Sequence, residues 1–319
     1  MTAQEMGGYL ELERFYGSEY HPDALALNCA RNCLAYLIEA RHIQTLWIPT
    51  FLCASVDTVA KKYDVTIRHF AIRPDFTPDY DTFEVADGEF LYLVDYYGQL
   101  SEQDILKAEQ RSNGRVIVDE VMAFFRKPLP SLDTIYSCRK FFGVADGAYL
   151  YTESRVGREL ETDESHERMD FVLGRCERPA NDFYQKASAN NGFFVTQDIK
   201  WMSPITHNIL RGVDYQAVAA RRLANFEALS KRLDGINELS PMPTDGAFMY
   251  PLLLEGGSAI RKELQAKKIY VSTLWPYATE REGVAGRYAR DILPMIVDQR
   301  YGLEDMEYEA DTLLELLQK

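Results

Sequence analysis

Apolar and polar positions along the first half of the chain fall into short blocks that switch between two periods. Phe90-Leu91-Tyr92-Leu93-Val94 and Val116-Ile117-Val118 are unbroken apolar runs of strand length, and the second ends in Asp119. Leu46-Trp47-Ile48, stopped by Pro49, reads as a strand too, as do Thr66 to Ile72, Thr134-Ile135-Tyr136 and Ala148 to Tyr151. Between these runs, Asn32 to Ala40, Ala54 to Lys62 and Glu102 to Ser112 repeat apolar residues at helical spacing. Strands alternating with helices predict an α/β fold with a mostly parallel sheet covered on both faces. Apolar strands that run straight into polar loops suit such a sheet, because ligands bind beyond the carboxyl ends of its strands.

The pattern changes after residue 152. Glu153 to Glu177 is densely charged and reads as a surface helix. Tyr215 to Leu233 is a long amphipathic helix, followed by a Gly- and Pro-punctuated stretch from Asp234 to Asp245. A strand (Ala247 to Leu254), a helix (Ser258 to Lys267), two strands (Ile269 to Leu274 and Ile292 to Val297) and a terminal helix (Leu303 to Leu317) complete a small α+β unit. The division falls near residue 213, giving a large domain of residues 1–213 and a small one of 214–319.

Composition narrows the class of partner. The chain has 319 residues, 46% hydrophobic and 26% charged, within the globular range. With 35 Lys+Arg against 49 Asp+Glu the net charge is −14, which argues against a broad face for nucleic acid or anionic lipid. No apolar run approaches the roughly 18 residues of a membrane helix. The stretch MTAQEMGGYLELER has neither a basic start nor an apolar core, so no secretory leader is expected. The cysteines (29, 33, 53, 138 and 176) are odd in number and form no metal-type pair, as expected of reduced thiols in a cytoplasmic protein. The sequence holds no glycine-rich dinucleotide fingerprint, phosphate loop, zinc-protease helix or serine-hydrolase elbow.

Three features share one environment. Asp119 ends an apolar strand, Ser137-Cys138-Arg139-Lys140 follows another, and Asn28-Cys29-Ala30-Arg31 opens the first helix, whose free N–H groups form an anion site. An acid, an amine and a phosphate-binding helix start suit pyridoxal 5'-phosphate (PLP). The segments VIVDE and IYSCRKFFGVADGAYLYT resemble the Asp strand and Ser-to-Lys turn of fold-type I PLP enzymes. LNCARNCLAYLI resembles the phosphate-binding helix start of the DegT-like sugar aminotransferases, and IRKELQAKKIYVSTLWP and ILPMIVDQRYGLEDMEYEADTLLELL resemble their C-terminal domain. The pieces follow family order and span nearly the whole chain.

The resemblance implies an aspartate aminotransferase-like fold and a homodimer with shared active sites. It implies transfer of an amino group from a donor such as glutamate to a keto substrate, here a nucleotide-linked keto-sugar. It makes Lys140 the amine that carries the cofactor and moves the proton, and Asp119 the partner of the ring nitrogen. It gives phosphate contacts to Ser137 and to the backbone of Ala30 and Arg31. Cys53 falls where a residue packs on the ring, with Phe51 as its neighbouring candidate, and Trp275 borders the substrate site. Arg300 could bind a donor's carboxylate but reads rather as half of a structural ion pair, and Tyr92 reads as packing and hydrogen-bonding at the sheet edge. Tyr96 and Tyr97 are open between packing and lining.

Several residues depart from the family pattern. Met122 stands where His or Gln usually approaches the cofactor's phenolic oxygen and cannot replace that hydrogen bond. Cys29-Ala30 replaces a Ser-Gly pair, and Ser137 and Lys140 are closer together than in many members. Lys200 and Trp201 only approximate the family's partner-lent Asn and Arg. These departures leave room for another PLP reaction, a dehydration or decarboxylation, or for a non-catalytic binding or regulatory role.

Overall fold

The computed structural model describes residues 6–318; residues 1–5, at the head of the N-terminal stretch read above, lie outside it. Through the first half, strands and helices alternate as β1 (Leu25–Leu27), α1 (Ala30–Arg41), β2 (Thr45–Pro49), α2 (Ala54–Lys62), β3 (Thr66–Phe70), β4 (Phe90–Val94), α3 (Glu102–Arg111), β5 (Val116–Asp119), β6 (Asp133–Ser137) and β7 (Ala148–Tyr151). The helices α4 (Asp170–Glu177), α5 (Tyr184–Phe193), α6 (Pro204–Arg211) and α7 (Tyr215–Leu233) follow. The chain ends with β8 (Tyr250–Leu253), α8 (Gly257–Ala266), α9 (Gly283–Asp291), β9 (Ile292–Met295) and α10 (Leu303–Leu317).

The first seven strands form one sheet in the order β1-β7-β6-β5-β4-β2-β3. Pairing is parallel from β6 across to β3, while β7 runs antiparallel to both β6 and β1. This is the expected α/β architecture. β4 and β5 are buried along their whole length, which explains their unbroken apolar sequence. The crossing of α1 and α2 over one face buries Leu34, Leu37, Val56 and Val59 in a core continuous with the sheet.

A second core lies in the C-terminal third. Phe226, Leu229 and Leu233 of α7 meet Tyr250 and Leu252 of β8, Leu293 and Met295 of β9, and Met306, Ala310 and Leu313 of α10. β8 and β9 form a two-stranded antiparallel sheet.

Two expected elements are corrected. Glu153 to Glu177 is not one helix: only Asp170–Glu177 is α-helical, and that helix buries no residue. Charge without an apolar stripe gives a helix nothing to pack. Ile269 to Leu274 is not a strand. Its Ile269 N–H closes onto the Leu264 carbonyl, and the Val271 carbonyl accepts from the Gln265 amide, so this backbone is satisfied locally.

Candidate active site

The carboxyl ends of the parallel strands open onto a cleft of about 360 Å³. Its walls include Ala30, Arg31, Cys53, Asp119, Ser137, Lys140 and Trp275, the residues given cofactor or substrate roles by the resemblance. The fold explains the convergence. Asp119 is the last residue of β5, Ser137 is the last of β6, and Lys140 lies in the turn that follows. Cys53 caps α2 just after β2, and Ala30 begins α1. Trp275 arrives from the C-terminal third, held in a left-handed conformation (φ 51°) with its ring edge-on to Phe51 at 4.4 Å.

Two loops are tied together below the cleft. The Gly147 N–H donates to the Asn28 carbonyl (2.7 Å) and the Gly147 carbonyl accepts from Cys138 (3.2 Å), so the start of α1 and the Ser137–Lys140 turn share one backbone junction. Gly147 has a φ of +114°, and a Cβ there would stand 2.9 Å from Thr206 Cγ2, so glycine is required. Beside it the fully buried Asp146 accepts hydrogen bonds from Ser203 N (2.8 Å), Ser203 Oγ (2.8 Å) and Thr206 Oγ1. A second brace comes from α7. Arg222 packs its guanidinium over Phe141 at 4.7 Å and donates to Gln299, which donates to the Phe141 carbonyl (2.7 Å) next to Lys140.

Asp119 is buried and forms no salt bridge among the described residues. Its Oδ2 accepts from the Tyr92 hydroxyl (2.7 Å) and its Oδ1 from the Val121 N–H (3.0 Å). Burial pushes its carboxyl pKa up, opposed by Lys140 and these two donors. Lys140 is open to the cleft, but the protein packed around its amine displaces water; that desolvation lowers its pKa, while Asp119 and Cys53 pull it back up. The amine is thereby brought closer to the range useful for proton transfer.

The cleft is otherwise cationic. Arg31, Arg139 and Lys140 line its walls against the single acid Asp119, in a chain of net charge −14. Ser137 is 7% exposed and its hydroxyl makes no hydrogen bond among the described residues. α1 has no side-chain cap and no acid in its first turn; the Asn32 and Cys33 N–H groups close onto the Cys29 carbonyl, leaving those of Ala30 and Arg31 for an anion. A buried carboxylate without a salt bridge, a desolvated amine and an uncapped helix start beside a free hydroxyl fit PLP, whose ring nitrogen, aldehyde and phosphate need those three partners.

Some readings change. Tyr92 is a wall of the cleft and the donor to Asp119, not only a packing residue. Phe51 is 1% exposed and lies behind Trp275, away from the cleft lining. Tyr96 and Tyr97 are packing residues: both are buried, and the Tyr96 hydroxyl donates to the Phe51 carbonyl. Met122 does line the cleft, while Lys200 lies off it and pairs with Glu161. Arg300 pairs with Asp298 at 2.7 Å, the structural role expected of it. Sequence reasoning assigned no role to Arg139 and did not find Asn191. An arginine beside Lys140 reads as surface charge, and Asn191 arrives on α5, a helix without an apolar face.

No family model matches this chain, and no curated protein sequence matches it. Solved structures do. DesV of S. venezuelae superposes with a TM-score of 0.66 at 16% identity, covering 93% of this chain and 85% of that one. The sugar aminotransferase CalS13 from Micromonospora echinospora gives 0.62 at 14% identity over 92% and 87%. A DegT DnrJ EryC1 StrS aminotransferase from Brucella abortus gives 0.62 at 13% identity over 92% and 85%. The chain has the fold of DegT-type aminotransferases.

Proposed function

We propose that the protein is a PLP-dependent aminotransferase that moves an amino group from a donor such as glutamate to a nucleotide-linked keto-sugar. The observation that carries this reading is the convergence of Asp119, Lys140, Ser137 and the start of α1 on one cleft. The sugar class is supported by the likeness in fold to CalS13, a sugar aminotransferase. The second hydrophobic core supports a division into residues 1–213 and 214–319, with Trp275, Tyr288 and Ile292 of the smaller part packed into the larger core. The reading also makes the chain one half of a cytoplasmic homodimer; no described helix is long and apolar enough to cross a membrane.

When bound, PLP supplies an electron sink for charge developing at the substrate carbon. The protein's residues prepare for it. Asp119 would keep a proton on the ring nitrogen, and Tyr92 and Val121 hold its two oxygens in place. Lys140 Nζ, less basic than a free lysine, takes and returns the proton at the substrate carbon. Ser137 Oγ and the N–H groups of Ala30 and Arg31 hold the phosphate. Cys53 would flank the ring, and Trp275, backed by Phe51, would border the substrate. The Gly147 junction and the Gln299 brace keep the Lys140 turn from drifting, as a positioned proton carrier requires.

Borohydride reduction of PLP-loaded protein followed by peptide mapping tests this. A pyridoxyl adduct on Lys140 is expected; protein that binds no PLP at all sinks the reading. Met122, buried in the cleft wall where it offers no hydrogen bond, favours a second reading in which the cofactor is bound for other chemistry or none. Glutamate that bleaches the cofactor's visible band favours transamination, and an unchanged band favours the alternative.

A further inference from the structure

Arg139 and Arg31 are two cations brought to one lip of the cleft without an acid between them. Neither forms a salt bridge among the described residues. Arg31 Nη1 donates to the backbone carbonyl of Asn191 (2.9 Å), and Arg139 Nη2 donates to the Asn191 side-chain oxygen. One residue of α5 thus holds both guanidinium groups. Arg139 also lies over the Phe194 ring at 4.7 Å, and its Nε is buried with no hydrogen-bond partner. Burial, opposed by the Cys29 thiol and reinforced by Arg31, pulls its pKa down to about 10. Two repelling, partly dehydrated arginines with a free donor are an expensive arrangement unless an anion occupies the space between them.

Where that anion sits follows from the neighbours. The cleft wall beside the arginines is made by Cys29 and Ala30 at the start of α1 and by Ser137, whose hydroxyl forms no hydrogen bond among the described residues. We propose that Arg139, paired with Arg31 and locked by Asn191, is a guanidinium clamp on the cofactor's phosphate. The clamp rests on the PLP reading above and adds to it. In that reading Ser137 and backbone N–H groups carry the phosphate, and none of them brings a full charge. A dianionic phosphate here meets two forked cations, and α5, otherwise poorly packed, gains its purpose as the carrier of Asn191.

The test compares PLP with pyridoxal, which lacks the phosphate, on the full chain freed of cofactor, by absorbance titration. Arg139→Met keeps the contact with Phe194 and removes the charge. It should weaken PLP binding about 10- to 100-fold and leave pyridoxal binding within about threefold. Arg139→Lys should recover part of the loss, because it restores charge without the fork. Asn191→Asp, which sets a carboxylate against Arg139 and offsets one of the two charges, should weaken PLP more than Asn191→Ala does. Equal loss for PLP and pyridoxal in Arg139→Met would mean a distorted Lys140 turn and overturns the clamp. Unchanged PLP affinity with a raised KM for the amino donor overturns it too, placing the arginines on the donor's carboxylate. Wild-type protein that binds neither compound defeats the cofactor reading itself and the clamp with it; wild-type protein that binds both equally defeats the clamp alone.

Discussion

Asp119 shows how much one side chain depends on where its strand stops. One residue earlier on β5 the carboxylate would point to the other face of the sheet, since strand side chains alternate. At the strand end it faces the cleft, held by Tyr92 and Val121 and without a cation of its own. Asp119→Asn preserves the shape and removes the charge; its one oxygen still accepts from Val121, and its amide N–H donates to the Tyr92 hydroxyl in a reversed contact. It should still take PLP onto Lys140 but lose about 10²- to 10³-fold in turnover, since it removes one preorganised electrostatic group. Single-turnover kinetics beside a binding titration separate the two effects, and a variant with undiminished turnover would remove Asp119 from the chemistry. Asp119, Ser137 and Lys140 were legible in the sequence because each follows an apolar run that can only be a buried strand. Arg139 and Asn191 were not: their environment is created by the meeting of two segments about fifty residues apart, which no local pattern records.

At the scale of elements, legibility follows packing. β4, β5, β7, α2, α7 and α10 appear with the boundaries their patterns predict, because each buries a defined face. β1 is three residues long, and α5 buries only Asn190, so neither carries a periodic signal. α6 is set by tertiary contacts: its cap Ser203 and its Thr206 are both anchored on Asp146 of the loop before β7. Asp146→Ala strands three donors in a buried site and should destabilise the protein by roughly 3 kcal/mol or more in urea denaturation. The same substitution frees Gly147 and the Lys140 turn, so cofactor affinity should fall with stability. A loss below about 1 kcal/mol would show that water replaces the carboxylate and that the junction is not held from this side.

For the whole molecule, the second core carries its own response to pH. Glu309 of α10 is 4% exposed, accepts from the Ile296 N–H (2.9 Å), and is pushed up to about 8 by burial, far above the 4.5 of a free carboxyl. The folded state therefore holds this proton more tightly than the unfolded chain. Its contribution to stability is complete below pH 4.5 and is lost as pH rises toward 8. Glu309→Gln keeps the acceptor and removes the titration. Melting temperatures measured from pH 5 to 8.5 should fall in the wild type and stay flatter in the variant; parallel curves would place the titration elsewhere.

The brace from Arg222 through Gln299 to the Phe141 carbonyl has a consequence for how the molecule comes apart. Its far end is rooted in α7, which belongs to the second core, and its near end touches the residue after Lys140. Loading the cofactor fixes that turn, so by linkage it opposes the separation of the C-terminal third from the sheet. Ligand occupancy then acts as a latch on cooperativity: opening the C-terminal third by itself should be rarer in the loaded chain than in the empty one, read as slower protease cleavage there.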